Sequence, residues 1–305
     1  MKQKVSWMLN SSQASMHLFV VVVTVLTCGL TLSSCSDNDD NHDEDPMLQK
    51  KVSQVSVYEK QDDNYFISKT NSYTYNDQGK IIQKKLFFYV SGIARLQESY
   101  DFSYSERLIN VINKTYPNDT NHKVVINDTD YELDDKGRIV RGTDYSYYEG
   151  ETRENSDEPE ISKFSYNEQG QLTTYEFGDI YCVLEWQGTE LHKLSRFQNG
   201  LPLVIITYDA SEQETGKMIP VGISSNSFDW LMHLGYFGQL SRFLPARIIQ
   251  EFYNTNGHLL TRQEEHFDYE VTFGLVTSYN TVQNLDLVLF NKQVISNIRN
   301  FVVWE

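Results

Sequence analysis

Aromatic and polar positions alternate through Tyr73-Thr74-Tyr75-Asn76, a break follows at Asp77-Gln78-Gly79, and apolar residues resume at Ile81-Ile82. On an extended chain residues two apart share a face, so Tyr73 and Tyr75 line one side and Thr74 and Asn76 the other. The pattern returns at Tyr131 to Ile139, at Phe164 to Leu172 and at Phe252 to Leu259. Each copy places Asn or Asp three residues ahead of a glycine: Asn76 before Gly79, Asp134 before Gly137, Asn167 before Gly170, Asn254 before Gly257. The Asn or Asp side chain opens a turn by bonding backbone two residues on, and the glycine closes it in the left-handed region. This register sets Tyr75 against Ile81, Leu133 against Ile139, Tyr166 against Leu172 and Tyr253 against Leu259. Two weaker copies sit at Tyr104 to Ile109 and at Trp186 to Leu191.

From Val52 onward the chain reads as strand after strand. Turn signals recur at Ser91-Gly92, Asn118-Asp119, Gly178-Asp179 and Asn199-Gly200. Their spacing predicts a mainly β fold, a single antiparallel meander of about sixteen strands that forms a curved sheet or a barrel. The connection from Glu149 to Glu160 is long and acidic, and is expected to be mobile. One segment departs from the period of two. Ser227-Phe228-Asp229-Trp230-Leu231-Met232-His233-Leu234 has helical spacing, which predicts one or two short helices within 227–243 that plug an end of the sheet or cover its aromatic face.

The amino terminus reads as an address. Lys2 and Lys4 precede an apolar run from Leu18 to Leu26, and Leu32-Ser33-Ser34-Cys35 follows. A basic start, a short apolar core and small residues before a cut describe a secretory leader. Leu-Ser-Ser-Cys resembles the bacterial lipobox, whose cysteine is lipidated, so residues 1–34 are expected to be a lipoprotein signal peptide and Cys35 the acylated residue. Residues 35–46 form an acidic tether with nothing to bury. It resembles the signal that carries some lipoproteins to the outer face of the outer membrane. Residues 47–305 form one β-rich domain.

Charge and cysteine usage narrow the partners. All 42 acidic residues follow Cys35 and two of the 26 basic ones precede it, so the processed chain carries 24 − 42 = −18. Six acids belong to the tether, leaving 24 − 36 = −12 for the body. Such a body repels phosphate backbones, which disfavours nucleic acid. Cys182 alone remains in the domain once Cys35 is acylated, and it reads as a small core residue.

The repeated Tyr-Asn-x-x-Gly hairpins resemble the tyrosine–aspartate repeats of Rhs-type shell proteins. Together with Gly235-Tyr236-Phe237-Gly238 through Leu244-Pro245, they are similar to a bacterial lipoprotein family known as a domain of unknown function with a porin-like fold. The resemblance implies that fold over Val52 to the carboxyl end and carries no activity. The charged strand faces, as in Gln83-Lys84-Lys85 and Arg262-Gln263-Glu264-Glu265, and the expected lipid anchor argue against a pore.

Candidate chemistry is sparse. Asp128, Asp130, Glu132 and Asp134 alternate, so one strand face gathers four carboxylates that are candidates for calcium. Their order does not fit an EF-hand, and a solvated face with Arg138 opposite Asp134 is the favoured explanation. His192, His233, His258 and His266 lack metal-site spacing. The 20 tyrosines suit a half-buried sheet, and exposed ones suit sugars or protein partners. The chain is therefore expected to be a non-enzymatic binding or scaffold module at the envelope, with no cofactor. Its partners are the membrane through Cys35 and a glycan or envelope protein. The alternative is a glycan-active hydrolase whose carboxylates assemble from distant strands.

Overall fold

The computed structural model describes residues 25–27, 50–117, 122–156, 158–214, 218–220, 235–239, 241–272, 275–288 and 292–304. The strands are β1 (Val25–Thr27), β2 (Val52–Gln61), β3 (Asn64–Tyr75), β4 (Ile81–Val90), β5 (Ile93–Tyr104) and β6 (Leu108–Thr115). They continue as β7 (Val125–Leu133), β8 (Ile139–Tyr148), β9 (Glu160–Tyr166), β10 (Leu172–Phe177), β11 (Ile180–Gln187) and β12 (Glu190–Gln198). The last are β13 (Leu201–Glu214), β14 (Met218–Pro220), β15 (Phe243–Tyr253), β16 (Leu259–Thr272), β17 (Leu275–Leu287) and β18 (Lys292–Trp304).

Sixteen of these strands, β2 to β13 and β15 to β18, pair antiparallel in chain order and close into one barrel, with β18 sealed against β2. The expected sheet thus closes. A closed barrel leaves no unpaired edge, which a meander of this length would otherwise expose to other chains. Outside the barrel, β1 pairs with β14 through Val25–Pro220 to Thr27–Met218. Among the described residues no barrel strand pairs with a residue upstream of Val52.

The aromatic face of the repeats is the inside. Tyr73, Tyr100, Tyr131, Phe164 and Tyr175 are buried, as are Ile81, Ile109, Ile139 and Leu172 from the partner strands. Among the described residues, Tyr236 and Phe237 pack against this face at Tyr104 and Phe164. β18 shows the alternation plainly: Ile298, Asn300 and Val302 are buried, while Asn297, Arg299, Phe301 and Val303 between and beside them are exposed.

The expected helices are not found where they can be checked. Residues 227–234 lie outside the described residues, Gly235 to Phe237 form a turn, and Phe243 already begins β15. The one helical element among the described residues is a single 3-10 turn, Arg153–Asn155. Glycines at 235 and 238, both with positive φ, let the chain bend sharply where a helix would have to stay regular.

Candidate functional site

One end of the barrel is closed by side chains and by a loop. Three of the four repeated turns lie there. Asn76 Oδ1 accepts from the backbone N–H of Gln78 and Lys80, and Asp134 Oδ1 from Lys136 and Arg138. Asn167 Oδ1 accepts from Gln171. The fourth, in which Asn254 accepts from Asn256 and His258, caps the opposite end. Gly79, Gly137, Gly170 and Gly257 have φ of 77°, 75°, 82° and 77°.

Ahead of several turns an aromatic residue reaches back across the wall, although Leu133 occupies that place in one repeat and Tyr253 donates to Glu251 in another. Tyr75 donates its hydroxyl to the carbonyl of Val52, Tyr104 to Ile81, Tyr166 to Ile139 and Tyr269 to Pro245. Trp186 and Trp304 do the same with indole N–H groups, to Leu172 and Val276. The cation just before the accepting residue lies over the same ring: Lys51 over Tyr75 at 5.5 Å, Lys80 over Tyr104 at 5.1 Å and Arg138 over Tyr166 at 4.3 Å. The sequence pattern implied a turn; it also encodes this staple, which needs the strands in place to be seen.

The segment 235–243 closes the same end. Its Tyr236 accepts at the carbonyl from Ile139 N–H, and Gln239 donates to the Gly170 carbonyl. Tyr236 stacks on Tyr104 with ring centroids 6.1 Å apart, and Phe237, 1% exposed, packs against Phe164 at 5.0 Å. Glu190 accepts from the backbone N–H groups of Arg242 and Phe243, and Ser241 accepts from Leu191. The Gly-Tyr-Phe-Gly stretch is therefore a plug.

Above this apolar end lies a buried polar layer. Glu265, 1% exposed, accepts through one oxygen from Gln263 at 2.5 Å and Gln283 at 2.8 Å. Its other oxygen makes no hydrogen bond, nor does the amide nitrogen of buried Gln250 on the neighbouring strand. Burial pushes the Glu265 carboxyl up to about 7 despite the two amide donors. Around the wall, Lys84 sits over the Tyr100 ring at 4.6 Å, and Tyr100 donates to Glu98. Burial lowers the Lys69 ammonium, with Glu59 and Glu98 opposing. Glu264, Glu265 and His266 are consecutive on β16. The alternation does scatter them, since Glu264 meets His266 at 3.0 Å on the outside, but it also buries Glu265.

The proposed calcium face is occupied by protein cations. Arg153, from the connection after β8, bonds Asp128 at 2.5 Å and Asp130 at 2.6 Å and lies over Tyr145 at 4.7 Å. Asn110 and Tyr147 also donate to Asp128. Burial raises the Asp128 carboxyl, but these donors outweigh it and hold it below the usual range. Glu132 pairs with Arg141 and Asp134 with Arg138, so the four acids are not gathered at one point. Among the described residues no group of three or more His, Cys, Asp or Glu is placed to hold a metal. The connection expected to be mobile is thus tied to the outer face by Arg153.

One further carboxylate pair faces inward. Asp144 and Glu160 are cross-strand neighbours on β8 and β9, and Asp144 accepts from Thr129 at 2.6 Å. Burial, then the nearby Glu160, push Asp144 up to about 6. Cys182 is buried with its thiol raised by burial, and Cys35 lies outside the described residues.

No known family profile matches the chain, and no curated protein matches significantly. Solved structures do match. A porin-like protein from Bacteroides uniformis aligns with a TM-score of 0.52 at 12% identity, covering 83% of this chain and 98% of that one. A porin-like protein from Bacteroides vulgatus has the same identity and coverage at a TM-score of 0.25. A β-barrel-like protein of a domain of unknown function from Brucella abortus aligns at 8% identity and 0.20. By its sixteen-strand closure and the first of these likenesses, the chain has a porin-like β-barrel fold.

Proposed function

We propose that the chain is a lipid-anchored protein of the outer membrane, held by acylated Cys35 and facing the cell surface, that binds or scaffolds rather than catalyses. The supporting observation is the barrel's polarity. A channel-forming barrel of this size leaves an aqueous lumen and turns an apolar band outward. Here many inward residues of the wall, among them Val52, Ile109, Tyr279 and Leu194, are sealed from solvent, and Phe237 plugs one end. The outer face instead carries ion pairs such as Arg247 with Asp209 and Glu264, and Lys193 with Glu185. The chain enters the barrel at the plugged end, where Lys51 lies over Tyr75, so an anchor at Cys35 holds that end near the bilayer.

The chain from Met47 to Glu305 should stay monodisperse without detergent and give no conductance steps in a planar bilayer. Full-length Cys35→Ala should fail to incorporate labelled fatty acid. Aggregation relieved only by detergent, with stepwise conductance, would make the barrel a pore.

The hydrolase reading is favoured by one observation, the pair Asp144 and Glu160 with Asp144 raised to about 6. A carboxyl raised by burial beside a second carboxylate is a candidate for the acid that glycoside hydrolysis needs. Reducing-sugar release that Asp144→Asn abolishes would establish it.

A further inference from the structure

We propose that the outer wall formed by β18, β2, β3 and β4 docks on an anionic lipid surface. This extends the anchored reading, but rests on different residues.

The first observation is charge segregation. The chain carries 42 acidic residues against 26 basic ones, yet these four adjacent strands hold one carboxylate, Glu59, against Lys60, Lys69, Lys84, Lys85, Lys292 and Arg299. Glu59 pairs across the barrel seam with buried Ile298, so it faces inward. Lys69 and Lys84 face inward as well, and Lys292 shares the inward face of Ile298, which leaves Lys60, Lys85 and Arg299 as the outward charges of these strands, with Asp62 and Asp63 exposed in the β2–β3 turn. Within an acidic body, the outer face of these four strands has a positive balance.

The second observation is exposed apolar surface on the same wall. Ile295 is 61% exposed, Val303 49%, Phe301 42% and Tyr65 39%. Charged groups lie among them. Phe301 meets Tyr58 edge-on at 5.4 Å, and Arg299 lies over Tyr65 at 5.1 Å while donating to Asn280. Rings and aliphatic side chains beside basic groups suit the boundary between headgroups and acyl chains.

The third observation is position. β2 begins at Val52, directly after Lys50-Lys51, so the segment leading back to Cys35 leaves the barrel at this wall's edge. A lipid-held amino terminus brings this wall to the bilayer before any other. The acidic stretch Ser36 to Pro46 matches the wall's charge but offers no apolar side chain to cover Phe301 and Val303. A second copy would bring its own positive wall, and the two would repel.

The test uses residues 47–305, which contain all sixteen barrel strands and lack the anchor. Sedimentation with phosphatidylcholine vesicles containing phosphatidylglycerol should pull the protein down, and pure phosphatidylcholine should not. Each basic residue near an anionic surface is worth about fivefold in partitioning, so Lys85→Gln and Arg299→Gln should each lower binding by about that factor. Phe301→Ala should weaken it further, and added salt should release the protein. Lys163→Gln, on the far side of the barrel, should bind as the parent does. No sedimentation with anionic vesicles overturns the proposal, as does binding that the wall variants leave unchanged. Retention by an acidic polysaccharide without vesicle binding, or a doubled mass in light scattering, overturns it in favour of another occupant. Acylation at Cys35 is read separately by fatty-acid labelling, so either idea can fail without the other.

Discussion

A tyrosine ahead of a repeat turn serves two partners at once, a carbonyl at its hydroxyl and a cation at its face. Tyr104 shows both, with Ile81 O at 2.8 Å and Lys80 over the ring. Tyr104→Phe keeps the ring and leaves that carbonyl without its donor, so it should cost about 1–2 kcal/mol in urea unfolding. Glycines separate by cause. At Gly137, with φ of 75° and open space around a built Cβ, alanine meets only backbone strain of about 1 kcal/mol. At Gly142 the backbone is ordinary, but a Cβ would collide with Ser162 and the Tyr131 ring. Gly142→Ala should therefore destabilise more than Gly137→Ala, by about 1–3 kcal/mol from overpacking. Equal melting shifts for the two would show that the interior is looser than this packing implies.

Elements are tied to one another by few groups, and Arg153 is the clearest. It holds the connection after β8 against β7 through Asp128 and Asp130. Arg153→Met should loosen residues 149–159, seen as faster proteolysis there, and cost about 1–2 kcal/mol for a partly exposed pair. The sign with pH follows from the carboxylates. Asp128 and Asp130 are held below their ordinary 3.8, so the latch is fully present above that value. It is lost as pH falls through the lowered values, because the unfolded chain takes up the protons first. Protease sensitivity of the loop that does not change with acid would argue against the latch.

Across the whole molecule, the barrel encloses a carboxyl that would be charged in water. Glu265 rises from 4.5 to about 7, so the folded state retains a proton that the unfolded chain releases. Stability should fall as pH rises from about 4.5 to about 7 and level off above. Glu265→Gln should remove that slope, matching the parent in acid and exceeding it by up to about 3 kcal/mol at about pH 8. Urea unfolding at the two pH values measures both. A variant less stable than the parent at both would mean that the carboxylate is matched by charge inside the barrel.

Local sequence determined the hairpins, because a turn needs only neighbours: Asn76 and Gly79 suffice to place Tyr75 against Ile81. Period-two alternation likewise decided which residues turn inward, and the strand count follows from counting turns. Closure was decided only by tertiary structure, since the seam joins Val302 to Val55 across nearly the whole chain. The plug at Tyr236 and Phe237 was equally hidden, because its partners Ile139 and Gly170 lie far upstream and its own residues carry no period. The helix expected at 227–243 came from spacing read without those partners. Nothing in their own stretches of sequence marks Arg153 as a latch or Glu265 as buried, for the same reason. What a charged side chain does depends on what covers it, and a folded barrel supplies covers that no stretch of sequence contains.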